Sequence, residues 1–160
     1  MKSFSLARAL LPAALLLAFT AQAQDFSAIV VPPPGAPVLT QAAQALVDAA
    51  NARVPQLDTA GLLAQLKAQP ETVVLDVRTP AEVDDSGHIA AAHFLNITRG
   101  LLEFRIEAAV PDKTTPIVVY CGVSQRSPLA ADTLTKLGYT KVMNYRDGFV
   151  NWRRAGLPVE

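Results

Sequence analysis

The sequence is short of several residue types, and each shortage excludes a class of function. Its 160 residues include one cysteine, Cys121, so no disulfide can form within the chain. One cysteine and two histidines are too few for the usual zinc sites. Basic and acidic residues balance at 14 each, and no basic block is interleaved with aromatic residues. Nucleic acid and anionic membrane surfaces are therefore not expected as partners.

Residues 1–23 have the pattern of a secretory signal peptide. A positively charged start precedes an apolar stretch over residues 9–19, and residues 21–23 read Ala-Gln-Ala, a typical cleavage site. The apolar stretch is shorter than the roughly 20 residues that a membrane-spanning helix needs. We predict export to a bacterial periplasm or secretion, with no membrane anchor after cleavage. Residues 24–39 are predicted to form an extended, proline-rich lead-in.

Beyond the lead-in, short apolar runs alternate with helical patterns. Residues 40–56 are predicted to form an N-terminal helix, capped by Thr40, and its connection to the next segment. Further helix starts are predicted at Asp58 or Thr59 and at Thr79, which has Glu82 at capping-box spacing. The following strand-like runs cover residues 72–77, 93–97, 116–121 and 142–145. Such alternation predicts an α/β domain with a parallel sheet between two layers of helices. Ligands of these sheets bind at the carboxyl ends of the strands, where the sequence places Asp76, Arg78 and Cys121.

Cys121 ends the most continuous β-branched run of the chain. Ser127 followed by Pro128 is typical of an N-cap and a first helical residue, so a helix is predicted to start there. The strand-to-helix turn would consist of Gly122, Val123, Ser124 and Gln125, with Arg126 at its exit. Backbone N–H groups and the positive helix end favour a thiolate, and Arg126 adds a full charge. On these residues alone, an inert buried cysteine fits as well.

From about residue 57 to residue 160 the chain resembles the rhodanese (sulfurtransferase) family. The resemblance rests on motifs in a fixed order: Leu75-Asp76-Val77-Arg78, Glu82, Gly87-His88-Ile89, the loop from Cys121 to Arg126 with Ser127, and Asp147-Gly148-Phe149 followed by Trp152. It implies a rhodanese-like three-layer sandwich around a mainly parallel five-stranded sheet. It also implies that Cys121 is a nucleophile that carries a persulfide, and that no cofactor or metal is needed.

The same resemblance implies roles for the residues around the cysteine. The backbone N–H groups of the turn would bind the outer sulfur; its residues are Gly122, Val123, Ser124 and Gln125. Arg126 would act with Cys121 as a catalytic residue, while Asp76, Arg78 and Ser127 would support the loop. Four residues between cysteine and arginine resemble the sulfur-transferring members, whereas related phosphatases have five. Ser124 departs from the family pattern, which often has glycine there.

These features predict an exported sulfurtransferase of the thiosulfate:cyanide type. It would move a sulfane sulfur from thiosulfate or a similar small anionic donor to cyanide or a thiol. An external thiol or a protein would accept the sulfur, because no second cysteine can resolve the persulfide. Two alternatives stay open: a non-catalytic rhodanese-like binding module, and a phosphatase or arsenate-type enzyme.

Overall fold

Six helices surround one five-stranded sheet in the computed structural model, which describes residues 39–160. The strands are β1 (Gln56–Leu57), β2 (Val73–Asp76), β3 (Phe94–Asn96), β4 (Ile117–Tyr120) and β5 (Val142–Tyr145). The helices are α1 (Gln41–Arg53), α2 (Thr59–Ala68), α3 (Pro80–Ser86), α4 (Leu102–Ala109), α5 (Arg126–Lys136) and α6 (Gly148–Arg154). A 3₁₀ turn, Arg99–Leu101, precedes α4. The predicted signal peptide and residues 24–38 of the predicted lead-in lie outside the described residues.

The sheet has the strand order β1-β5-β4-β2-β3, and every pair of neighbouring strands is parallel. The predicted α/β fold class is therefore confirmed, with a sheet that is parallel throughout rather than mainly so. Strand β4 is central, and all four of its residues are buried. Because β2 and β5 flank it in parallel, their carboxyl ends meet beside Cys121. Within residues 39–160, no helix is both long and apolar enough to cross a bilayer.

Both faces of the sheet are covered, as the β-branched strand runs predict. Alternate residues of β4 point to opposite faces. Ile117 and Val119 belong to one apolar cluster, which also contains Cys121, while Val118 and Tyr120 belong to the other. Helix α5 contributes to the first cluster and helix α6 to the second. The cysteine thus lies on the α5 side of the sheet, and α6 approaches its loop from the opposite side.

Three of the predicted helix starts are confirmed by their capping hydrogen bonds. The side chain of Thr40 accepts a bond from Ala43 N at 3.2 Å at the start of α1. Asp58 accepts one from Gly61 N at 2.8 Å at the start of α2. At α3, Thr79 and Glu82 form a reciprocal capping box. Each cap satisfies amide groups that a helix leaves without partners in its first turn.

The predicted start of α5 is wrong. The helix begins at Arg126, and Gln125 occupies the N-cap without a side-chain hydrogen bond. Ser127 is therefore not the N-cap, and Pro128 is not the first helical residue; both lie inside the first turn. Proline is tolerated there because amide groups of the first turn have no intrahelical acceptor in any case. The same Ser-Pro pattern consequently fits both starting points. The earlier start makes Arg126 part of the helix rather than of the turn.

Helix α1 packs against α5, and an ion pair fixes the contact. Arg53 donates two hydrogen bonds to the carboxylate of Asp132, at 2.7 and 2.9 Å. These bonds are the main cause that lowers the pKa of Asp132 to about 2. The helix also buries Val47 and Ala50 completely or nearly so. Helix α1 is therefore part of the same packed structure as the sheet.

Candidate active site

Cys121 lies directly after the central strand β4, at the carboxyl edge of the sheet. Its side chain belongs to the apolar cluster beneath α5, and the residue is only 1% exposed. The turn that follows, residues 122–125, leads straight into α5. Within residues 39–160, none of the four backbone N–H groups of this turn donates a hydrogen bond to a protein acceptor. Four such groups in sequence beside a thiol can hold a small anion.

Helix α6 fixes the beginning of this turn. Phe149 N donates to the carbonyl oxygen of Cys121 at 2.9 Å, and Val150 N donates to that of Gly122 at 3.1 Å. The peptide bonds are trans, so the N–H groups that follow these two carbonyls point away from α6. Those N–H groups belong to Gly122 and Val123. The contact with α6 therefore fixes their direction.

Gly148 makes this close contact possible. Its φ is +71°, in the left-handed region that favours glycine. A Cβ atom at this position would lie 2.6 Å from the carbonyl oxygen of Gly122 and 3.2 Å from the Cα of Val123. Both of these atoms are backbone atoms, which cannot move aside as a flexible side chain can. Glycine at position 148 is thus required by the packing of α6 on the turn.

Ser124 adopts the left-handed conformation, with a φ of +57°, and is the one non-glycine residue of residues 39–160 to do so. A glycine would adopt this conformation without strain. The Ser124 hydroxyl oxygen accepts a hydrogen bond of 3.3 Å from the Nδ2 atom of Asn144, a fully buried residue of β5. The same Nδ2 atom donates to the Oε1 atom of Gln56 in β1, at 2.7 Å. The hydrogen bond from Asn144 therefore helps to hold Ser124 in its unfavourable backbone conformation.

Arg126 forms a two-point ion pair with Glu82 of α3. Its Nη1 and Nη2 atoms lie 2.8 and 2.6 Å from the two carboxylate oxygens. These bonds are the largest cause that lowers the pKa of Glu82 to about 2. They also raise the pKa of Arg126, and Cys121 adds to that effect. The arginine is thus a permanent cation, about 39% exposed, held over the turn by a carboxylate that also caps α3.

Asp76 and Arg78 form a buried ion pair below the turn. The Arg78 Nη2 atom lies 2.6 Å from the Asp76 carboxylate, and both side chains are at most 2% exposed. Arg78 also donates to the carbonyl oxygen of Gly87 at 2.7 Å and lies 3.9 Å above the Phe149 ring. One guanidinium therefore connects the end of β2, the end of α3 and helix α6. This position agrees with a supporting role.

The residues that the sequence predicts for the site lie together at one edge of the sheet. Cys121, the turn and Arg126 are contiguous, and the pair of Asp76 and Arg78 lies buried beside them. Ser127 is fully buried, and its hydroxyl has no hydrogen-bond partner in the described part of the chain. Val123 is 58% exposed at the tip of the turn.

Two contacts of the site were missed by sequence reasoning. Glu82 was assigned to the α3 cap, and its motif gave no sign that its carboxylate also binds Arg126, 44 residues further along. Asn144 lies 20 residues from Ser124. A buried asparagine in an apolar strand is a signal for such a contact, because buried polar side chains need hydrogen-bond partners.

A cleft of about 560 Å³ opens beside the turn, between α3 and α6. Its lining includes Glu82, Asp85 and Ser86 from α3, and Phe149, Val150, Arg153 and Arg154 from α6. Gly122 and Arg78 lie between these two walls. A second cleft, of about 400 Å³, lies on the side of Ser124 and Gln125 and is lined in part by α1. The turn is therefore bordered by two clefts.

The fold and this arrangement define a class: a parallel α/β domain that presents, at its carboxyl edge, a buried thiol followed by a turn whose four N–H groups have no acceptor among the described residues. Residues 59–155 match the model of the rhodanese-like domain family. The chain belongs to that family, as its motifs predict.

The relatives that carry sulfurtransferase names include two bacterial proteins. A sulfurtransferase of Allochromatium vinosum is 33% identical over 106 residues, which are 66% of this chain and 94% of that protein. The thiosulfate sulfurtransferase PspE of Escherichia coli is 37% identical over 70 residues, which are 44% of this chain and 64% of PspE. These relatives support a sulfurtransferase role for the chain.

Solved structures with the same fold include one transferase and one protein of unknown function. The polysulfide-sulfur transferase homodimer of Wolinella succinogenes has a TM-score of 0.65 and 30% identity, covering 73% of this chain and 85% of its own. A Rhodopseudomonas palustris protein, described as a possible tyrosine phosphatase, has a TM-score of 0.67 and 33% identity. It covers 79% of this chain and 100% of its own.

Proposed function

We propose that the protein is an exported sulfurtransferase that takes the sulfane sulfur of thiosulfate, or of a similar small anion, onto Cys121 as a persulfide. One observation carries this proposal. The thiol is followed by four consecutive N–H groups without protein acceptors in the described residues, and then by the cationic Arg126. An anionic outer sulfur needs such donors, because a buried negative charge is costly without hydrogen bonds.

The proposed reaction has two steps. The Cys121 thiolate attacks the outer sulfur of thiosulfate, so an S–S bond forms to the enzyme while the S–S bond of thiosulfate breaks and sulfite leaves with its electron pair. In the second step cyanide or an external thiolate attacks the outer sulfur of the persulfide. The products are thiocyanate or an acceptor persulfide, and the free Cys121 thiolate is restored. Each step transfers one sulfur atom and leaves the total charge unchanged.

Arg126 has two proposed tasks in the first step. Its charge stabilises the thiolate, and its exposed N–H groups bind the sulfonate end of the donor. Glu82 holds the guanidinium in place through two hydrogen bonds. We expect Arg126→Ala to slow persulfide formation at least tenfold, with a small effect on folding, because the side chain is about 39% exposed. An unchanged rate of loading by thiosulfate contradicts this role.

The test of the function is the intact mass of the protein after incubation with thiosulfate. We expect a gain of one sulfur atom, removed by a reductant, and no gain for Cys121→Ser. A protein that folds normally but gains no sulfur, while its thiol reacts with an alkylating reagent, refutes the proposed reaction with thiosulfate. In that event the binding-module alternative becomes the better interpretation, and the strained Ser124 is the first residue to change to glycine.

A phosphatase is the second candidate, because one structural neighbour is described as a possible tyrosine phosphatase. The four-residue turn argues against it, since four residues resemble the sulfur-transferring members of the family, whereas the related phosphatases have five there. Hydrolysis of a chromogenic aryl phosphate decides the matter. Turnover that is lost in Cys121→Ser supports the phosphatase, and no turnover alongside sulfur loading supports the sulfurtransferase.

Export is proposed from the sequence of residues 1–23. The protein recovered from the periplasm or medium of a bacterial host should begin near Gln24. Recovery of the chain only from the cytoplasm, with Met1 intact, would overturn this part of the proposal. The sulfur acceptor would then be sought among reduced thiols of the cytoplasm instead.

A further inference from the structure

The cleft between α3 and α6 has a basic wall and an acidic wall. Arg153 and Arg154 line the α6 side, and no carboxylate of residues 39–160 lies within ion-pair distance of either. On the α3 side, Asp85 is exposed and likewise has no cationic partner in that range. Glu82, the other acid of this wall, is already occupied by Arg126. The free charges of the cleft are thus two cations facing one anion.

The cleft adjoins the turn that would hold the outer sulfur of the persulfide. Its lining includes Gly122, the residue after Cys121, and the Phe149 ring below it. A volume of about 560 Å³ is far larger than thiosulfate requires and falls within the range of roughly 300–1,000 Å³ that is usual for sites of small organic ligands. The cleft on the other side of the turn differs in charge. Its one cation, Arg146, is already paired with Asp58 at 3.2 Å.

We propose that the cleft between α3 and α6 binds the sulfur acceptor, and that this acceptor is a small thiol of the amino-acid type, with both a carboxylate and an ammonium group. Arg153 and Arg154 bind the carboxylate, and Asp85 binds the ammonium. The thiolate then attacks the outer sulfur of the Cys121 persulfide. A new S–S bond forms on the acceptor, the S–S bond to Cys121 breaks, and Cys121 is released as a thiolate. This inference rests on the proposed persulfide function.

Charge complementarity of this kind makes a specific prediction about acceptors. Two exposed arginines bind a carboxylate through charge-assisted hydrogen bonds, which are stronger than neutral ones but weakened by solvent. We expect the Arg153→Gln/Arg154→Gln double variant to reduce the rate constant for acceptors with a carboxylate about 5- to 10-fold. We expect Asp85→Asn to reduce the rate constant for acceptors with an ammonium group about threefold. Both factors follow from the strength of exposed ion pairs.

The experiment uses four small thiols that carry these two groups in every combination. L-Cysteine has both, 3-mercaptopropionate has the carboxylate, cysteamine has the ammonium, and 2-mercaptoethanol has neither. The persulfide is first formed with thiosulfate and quantified by intact mass, and its discharge by each thiol is then timed. Each thiol is compared with itself across the variants, so differences in thiol pKa cancel. Arg105→Gln, an exposed arginine of α4 that does not line the cleft, is the matched control.

The expected result is a selective loss. The double arginine variant slows discharge by cysteine and 3-mercaptopropionate only, Asp85→Asn slows discharge by cysteine and cysteamine only, and the control slows none. Equal slowing of all four thiols, or no slowing of any, overturns the acceptor site while leaving the persulfide function in place. A wild-type protein that forms no persulfide overturns the function itself, and the acceptor site with it. The mass measurement before each assay distinguishes these failures.

Discussion

Replacing Gly148 with alanine tests the contact that holds the turn against α6. The new Cβ atom would lie 2.6 Å from the carbonyl oxygen of Gly122 and 3.0 Å from its carbonyl carbon. The substitution also places a side chain at a φ of +71°. Both effects act on the backbone at the start of the turn, where Phe149 N and Val150 N donate their hydrogen bonds.

The expected magnitude follows from these two effects. A non-glycine residue in the left-handed region costs about 1–2 kcal/mol. Relief of the clash requires α6 to move away from the turn, which weakens two hydrogen bonds worth about 0.5–1.5 kcal/mol each. The expected loss in the free energy of unfolding is therefore about 2–5 kcal/mol. That is a large part of the roughly 5–15 kcal/mol of a typical domain.

Gly156→Ala is a matched control, because it separates strain from contact. Gly156 has a similar φ of +67°, but a Cβ there meets no atom within 4 Å. Alanine at position 156 should therefore cost only the conformational part, about 1–2 kcal/mol. Urea denaturation measures both variants, and intact mass measures how fast each gains sulfur from thiosulfate.

We expect Gly148→Ala to lose more stability than Gly156→Ala and to load sulfur more slowly, because the N–H groups of the turn lose their fixed direction. Gly156→Ala should load at the wild-type rate. If the two variants lose the same stability and both load normally, the reasoning about the contact between α6 and the turn is refuted.

Three further predictions concern the support of the turn. Ser124→Gly should change the free energy of unfolding by less than about 1 kcal/mol in urea denaturation. Relief of the left-handed strain is offset by the greater freedom of the unfolded chain and by loss of the hydrogen bond from Asn144. A loss above about 2 kcal/mol would show that this hydrogen bond contributes more than the strain costs. Asp76→Asn should lower stability by about 3–5 kcal/mol in the same assay, because it leaves the buried charge of Arg78 without its partner, and a change below about 1 kcal/mol would contradict that pairing. For Glu82→Gln, the loss relative to wild type should be about 1 kcal/mol or less at pH 7, since the pair is half-exposed. Because folding lowers the pKa of Glu82 to about 2, its contribution is present above pH 4.5 and disappears between pH 4.5 and pH 2; a stability difference that stays constant over urea titrations from pH 7 to pH 2 would exclude the ion pair as its source.

The fold could be predicted from the sequence wherever the signals are local. Apolar runs predicted β2 to β5, and side-chain caps predicted the starts of α1, α2 and α3 at Thr40, Asp58 and Thr79. The start of α5 was misplaced because a Ser-Pro pair is compatible with two positions in the first turn. Local patterns do not distinguish these positions, since tertiary contacts decide where the turn ends.

The site could be predicted only in part, for a related physical reason. Cys121, its turn and Arg126 are contiguous in sequence, so their proximity follows from one strand-to-helix connection. The ion pair of Arg126 with Glu82 and the hydrogen bond of Ser124 with Asn144 join distant segments. Such contacts depend on strand order, and the sequence does not show which strands become neighbours.

Strand β1 affects the exposed edge of the sheet as well as the site. It consists of two residues, yet it covers the outer edge of β5, where Asn144 N donates to the carbonyl oxygen of Pro55 and Arg146 N to that of Leu57. The part of the chain that matches the family model begins at residue 59, after this strand. A chain that began at residue 59 would leave the outer edge of β5 without a paired strand. Unpaired edges of this kind associate with strands of other molecules. The two residues of β1 thus cover an edge of the sheet through which copies of the domain could otherwise associate.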